Sequence, residues 1–183
     1  PLYIIPDRKV SLADVREGMR NHYEGTELSM TNDPGAGVYK VPYRWRPMTF
    51  KSEGREYFNE RAIATQQTGF VLIAQMRSWL PDAVGGILWF GVDDANTAVL
   101  TPMYTSITEI PECYRRGNGS MTEFSWTSAF WIHNWVANMA YNRYEPMIRD
   151  IRPVQKELED SYVDLVKNTD AKALELLKSS PAQ

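Results

Sequence analysis

Two apolar, β-prone runs joined by a short turn constrain this chain more than any other feature. The first covers residues 62–76 and is dominated by Ile63, Thr65, Thr68, Phe70, Val71 and Ile73; the second is Gly86–Val92. The turn between them, Ser78-Trp79-Leu80-Pro81-Asp82, cannot hold the crossover of about a dozen residues that a parallel return requires, so the runs pair antiparallel. A third run over residues 97–100 follows Asp93-Asp94-Ala95-Asn96 and extends the pair to a meander over 62–102.

The flanking sequence predicts the other elements. Ser11-Leu12-Ala13-Asp14 reads as a helix start, with a hydroxyl to cap free backbone N–H groups and an acid facing the positive helix end, and the helix is expected to reach about Tyr23. Residues 24–60 read as a long ordered loop: they are rich in Gly, Pro and Asn but also in Tyr and Trp, which a linker would lack. Residues 126–178 form a helical region. Its first part, 126–144, is so dense in apolar and aromatic residues that burial on most sides is expected. Pro146 and Pro153 are each expected to break or kink the path. The order helix, loop, meander, helices defines an α+β chain, and residues 1–183 make either a single domain or a fragment of a larger one.

Charge and composition exclude several functions. The 20 basic and 23 acidic residues are mixed without long runs, giving a net charge of -3 and no electrostatic footprint for nucleic acid. No apolar run approaches the roughly 20 residues that span a bilayer, so no membrane role is expected. The chain begins Pro1-Leu2-Tyr3-Ile4-Ile5, a strand-like segment rather than an initiator Met, which points to truncation or processing. Cys113 is the only cysteine and leaves the compartment open; His22 and His133 are too few for a zinc centre, and neither metal nor cofactor is expected.

Few residues offer chemistry of their own. Cys113 is a potential nucleophile, but Glu112 beside it disfavours a thiolate. His133 sits among aromatics, where a hydrogen-bonded core role is expected, and His22 near a helix end is expected to face solvent. Asp93 and Asp94 are adjacent in an extended segment, point to opposite faces and read as a strand-ending turn. Asn118-Gly119-Ser120 matches a glycosylation sequon but is more simply a turn. Arg61 and Arg77, flanking the first run, are each able to hold a carboxylate through two parallel N–H bonds.

The motifs Tyr23-Glu24-Gly25-Thr26, Pro42-Tyr43-Arg44-Trp45-Arg46-Pro47, Glu60-Arg61-Ala62-Ile63, Thr65-Gln66-Gln67-Thr68-Gly69-Phe70 and Gly85-Gly86-x-Leu88-Trp89-Phe90-Gly91-Val92-Asp93-Asp94 occur in order. With Thr101-Pro102-Met103-Tyr104 and Ser128-Ala129-Phe130-Trp131-x-x-Asn134-x-Val136-Ala137-Asn138, the set resembles the C69 family of dipeptidases over residues 20 to 145. The resemblance implies an N-terminal-nucleophile hydrolase with a four-layer αββα sandwich, in which a cysteine at the mature amino terminus attacks a dipeptide carbonyl with its own amino group as base. No residue here corresponds to that cysteine. The resemblance therefore implies an inactive fragment whose partners are a dipeptide substrate and the remaining N-terminal part of the enzyme, with homo-oligomerisation open to it through the uncovered surface. Arg61 and Arg77 become the substrate-binding candidates. A different class of reading is a noncatalytic peptide- or sugar-binding module built on aromatic residues of the 39–58 loop.

Overall fold

A computed structural model describes residues 2–42, 49–58 and 61–179. Helix α1 (Leu12–Met19) starts at Ser11, whose side chain accepts from the Asp14 backbone while Asp14 bonds back to the Ser11 N–H. This reciprocal cap is the one the sequence predicts, although the helix ends at Met19. Arg8 braces the cap with two bonds to Asp14, 2.8 and 2.6 Å.

The loop over residues 24–60 is not all loop. It contains a hairpin of β1 (Thr49–Ser52) and β2 (Arg55–Phe58), turned at Glu53-Gly54, where both residues take positive φ, 50° and 75°. That backbone twist suits a two-residue hairpin connection. The predicted aromatic stretch at 43–48, and Glu60, lie outside the described residues.

The meander forms from β3 (Phe70–Met76), β4 (Gly86–Val92) and β5 (Thr101–Tyr104), antiparallel throughout, with Phe70 opposite Val92 and Ile87 opposite Tyr104. A single helical turn, α2 (Asp82–Gly85), separates β3 from β4. Two expectations shift. Residues 61–69 precede the strand rather than belonging to it, and the third strand begins at Thr101, not 97. The backbone of 96–100 is instead bonded by side chains. Asp94 takes the Thr97 N–H and Glu159 the Leu100 N–H, while Gln155 donates to the carbonyls of Asn96 and Ala98. Those groups are then not available to a ladder.

One sheet face is covered. Val71, Ile73, Ile87 and Trp89 pack beneath Leu12, Val15 and Met19 of α1 and beneath Tyr162, Val163 and Val166 of the last helix. The opposite face carries Phe70, Leu72 and Met76, exposed by 62, 46 and 70%.

Helices α3 (Ala129–Asn142) and α4 (Tyr144–Ser179) complete the chain. The expected breaks at Pro146 and Pro153 do not occur, and α4 runs unbroken for 36 residues. Pro146 falls in the first turn, where its missing N–H has no helical partner to lose; Pro153 costs one interior bond that the long packed helix absorbs. Nor is α3 buried on most sides: Ala129, Ala137, Ala140 and Tyr141 face inward, while Ile132, Trp135 and Met139 are exposed.

Candidate functional site

Strand β4 ends in the turn Asp93-Asp94-Ala95-Asn96, and this turn organises the polar interior. Asp93 takes φ 68°, a left-handed conformation that Asp tolerates better than bulky residues, and its N–H bonds the Gly69 carbonyl at 2.8 Å. The two acids diverge, as their adjacency predicts. Asp94 turns inward without exposed surface; its Oδ2 accepts from the Thr97 N–H (3.0 Å) and hydroxyl (2.9 Å), its Oδ1 from the Tyr141 hydroxyl (3.2 Å).

His22 is the centre of this interior and not a surface residue. It is wholly buried, with Tyr141 against Nε2 (3.2 Å), Asn96 Nδ2 against Nδ1 (3.2 Å), and the rings of Tyr141 and Tyr144 set edge-on at 6.5 and 5.8 Å. Because Tyr141 donates to Asp94, it accepts from His22 Nε2–H, while Nδ1 faces Glu24 Oε1 and the Tyr144 hydroxyl, both at 3.3 Å, as well as Asn96. The position after α1 suggested solvent, but the chain there is drawn under α3 and α4. Burial raises both tyrosine hydroxyls above the ordinary phenol range, with the Asp94 carboxylate reinforcing this at Tyr141. Burial works against the Glu24 carboxylate, yet bonds from the His22 ring and backbone N–H outweigh it and hold Glu24 down at about 2.

Helix α4 clamps this interior with polar residues at helical spacing. Glu159 bonds both terminal nitrogens of Arg20 and the Leu100 N–H (2.8 Å), and Arg16 stands 3.8 Å away with its guanidinium over the Trp89 ring. Asp170 holds Arg77. The predicted substrate residue Arg77 is thus buried, with its terminal nitrogens on Asp170 (2.5 and 3.0 Å) and the Val84 carbonyl. Arg61 is exposed; its carbonyl accepts from the Tyr23 hydroxyl (3.4 Å), and its guanidinium has no partner among the described residues. The two arginines share no partner, Arg61 meeting Tyr23 and Arg77 meeting Asp170 and Val84. Sequence reasoning missed Glu159 and Asp170, whose only signal was an acid at core spacing on α4.

A second polar row reaches the surface. Asn134 Nδ2 donates to Asp93 Oδ1 (3.3 Å), Asn138 donates to the Asn134 carbonyl and Oδ1 (both 2.7 Å), and Gln66 donates to Asn138 Oδ1 (3.4 Å). One turn of α3 spaces the two asparagines. Burial, with the Asp94 charge alongside, pushes the Asp93 carboxyl up to about 6.

The remaining candidates are held by their surroundings. His133 donates from Nδ1 to the Ala129 carbonyl (2.8 Å) and accepts at Nε2 from the Val99 N–H (3.3 Å); burial depresses its pKa, and the hydrogen-bonded core role expected of it is the one found. Cys113, in a half-buried turn at Glu112–Tyr114, has its thiol pushed up by burial and by Glu112. Asn118-Gly119-Ser120 lies in a turn where Gly117 and Gly119 take positive φ. Among the described residues no group of His, Cys, Asp and Glu is set to hold a metal, and no helix is long and apolar enough to cross a membrane.

Comparison with known proteins finds dipeptidases among those similar to this chain. The chain is 27% identical over 169 residues to a probable dipeptidase of Latilactobacillus sakei, covering 92% of this chain and 31% of that protein. It is 28% identical over 154 residues to probable dipeptidase B of Lactococcus lactis subsp. lactis (strain IL1403), covering 83% of this chain and 28% of the relative. Dipeptidase A of Lactobacillus helveticus matches at 23% over 164 residues, 88% of this chain and 28% of its own length. The chain thus spans less than a third of the length of these relatives. The sequence model of peptidase family C69 matches residues 1–157, and the chain belongs to that family.

Proposed function

We propose that this chain is one helix-on-sheet section of a dipeptidase of the N-terminal-nucleophile class, whose attacking cysteine lies outside these residues. The observation that carries the reading is the apolar outer face of β3, exposed at one side of the sheet. An antiparallel sheet with one face on its core normally turns a polar face to water, but here Phe70, Leu72 and Met76 stand out. A second sheet packed on that face would give the αββα order of the class. The cysteine thiol attacks the dipeptide carbonyl, an acyl-enzyme forms as the first amino-acid leaving group departs, and water releases the second. In this reading Arg61, exposed and unpaired among the described residues, holds the dipeptide carboxylate through its planar fork. Arg77, the other sequence candidate, has its fork on Asp170 and fixes the end of β3.

Amino-acid release from a panel of dipeptides, by this chain alone and by its full-length parent, tests the proposal. Activity in the parent alone supports it. Activity in the isolated chain overturns the external nucleophile, and none in the parent overturns the dipeptidase. The noncatalytic binding module is disfavoured by the exposed sheet face, which a finished module would cover; light scattering that finds the isolated chain strictly monomeric would favour it.

A further inference from the structure

Resting on the dipeptidase reading, we propose that Asp93 receives the free α-ammonium group of the substrate, with Asn134 orienting its carboxylate. Asp93 is 8% exposed, yet its only side-chain donor among the described residues is Asn134 Nδ2, at a long 3.3 Å on Oδ1. Beyond that bond the carboxylate meets only the backbone N–H of Asp94, and no cation stands beside it among the described residues. The other buried acids are satisfied. Asp94 has Thr97 and Tyr141, and Glu159 has Arg20 and the Leu100 N–H. A desolvated carboxylate without a cation is unfavourable, and a ligand ammonium removes that penalty while forming a charge-assisted bond. Its carboxyl, pushed up to about 6, remains mostly ionised at neutral pH and so is able to pair.

The surroundings suit a short peptide. Asp93 opens one end of an amide row that runs through Asn134 and Asn138 to Gln66, groups that both donate to and accept from a peptide bond. Gln66 lies on the same loop as Arg61, and the Gly69 carbonyl at the end of that loop fixes the Asp93 backbone. One loop therefore ties together a cationic and an anionic residue, as a zwitterionic ligand requires. Phe70, paired opposite Val92, and Trp135, next to Asn134, are 62 and 56% exposed and offer apolar surface to substrate side chains.

The test compares a dipeptide with its N-acetylated form in the full-length parent, for wild type and Asp93→Asn. Asn is isosteric and accepts a positive φ. The expected result is a KM for the free dipeptide raised roughly tenfold or more, and a preference for the free amine over the acetylated form reduced by a like factor, as loss of one ionic contact implies. The acetylated form should be cleaved no worse than before. An unchanged preference, or an equal loss on both substrates, overturns the inference and leaves the dipeptidase reading standing. A wild-type parent that cleaves neither substrate removes both. If Asp93→Asn does not fold, Asp93→Gly, which also accepts the backbone conformation, is read the same way.

Discussion

Asp170, late in α4, closes on both terminal nitrogens of Arg77, which stands just past the end of β3. Tyr104 at the end of β5 donates to the same carboxylate at 2.7 Å, and the Arg77 guanidinium lies 5.9 Å from the Tyr104 ring. The pair thus pins the far end of the long helix to two strands of the sheet.

Breaking that pin leaves a buried cation without its partner. Asp170→Ala is expected to cost roughly 3 kcal/mol of stability, against less than about 0.5 kcal/mol for Lys156→Ala, which removes only an exposed pair with Asp160. Urea denaturation of both variants measures the contrast. Burial and Asp170 together raise the Tyr104 hydroxyl to about 12, so ultraviolet titration of the Asp170 variant should show that tyrosine ionising at lower pH.

Glu159 serves two arginines at once. Its loss leaves Arg20 and Arg16 side by side in the interior, with only the Trp89 ring against Arg16. Glu159→Ala should destabilise by about 3–5 kcal/mol, and the cost should shrink when Arg16→Met is added, because one buried charge is then gone. Thermal melts of the single and double variants decide this.

The His22 relay is predicted to be structural. Tyr141→Phe removes the group bridging His22 Nε2 and Asp94 Oδ1 and should cost roughly 1–3 kcal/mol, the penalty of leaving buried polar groups unmade. Equilibrium denaturation reads it directly. A cost near zero would mean that water replaces the hydroxyl.

The linkage sign for Asp93 runs opposite to that of an ordinary paired carboxylate. Its folded value of about 6 exceeds the ordinary 3.8, so the folded state holds the proton more tightly. Its contribution is therefore most favourable below about pH 4 and is lost as pH rises through 6. Asp93→Asn should flatten that part of the stability profile and leave the protein more stable at pH 7 by up to roughly 3 kcal/mol. Stability measured from pH 4 to 8 tests this; a destabilised variant at pH 7 would contradict it.

Cys113 is expected to be catalytically silent. With its thiol pushed up by burial and by Glu112, it should react slowly with thiol reagents at pH 7, and Cys113→Ser in the full-length parent should leave dipeptide turnover unchanged.

The elements with strong local signals were legible. The Ser11–Asp14 cap, the antiparallel β3–β4 pair and the helical C-terminal region follow from capping chemistry, β-branched runs and helical periodicity, whereas the third strand lies just beyond the run at 97–100. The β1–β2 hairpin was not, because its signal is a Glu-Gly turn rather than the usual Asn-Gly. Nor was the burial of His22, since nothing near it in sequence shows that Tyr141 and Tyr144, more than a hundred residues away, will cover it.

The sequence by itself determined the α1 cap, the antiparallel pairing of β3 with β4 and the helical C-terminal region, because those follow from interactions between residues close along the chain. It also carried the motifs that mark the family. Only the tertiary structure decided which charges are structural and which are open. Arg77 and Arg61 look alike in sequence, yet one meets Asp170 across the fold and the other meets no partner among the described residues. Asp93 and Asp94 are adjacent, yet a single left-handed residue sends one to a saturated interior and leaves the other at the edge, where Asn134 is its one side-chain donor among the described residues. The physical reason is that a charge acquires its role from desolvation and from the groups around it, and both are set by contacts between residues distant in sequence.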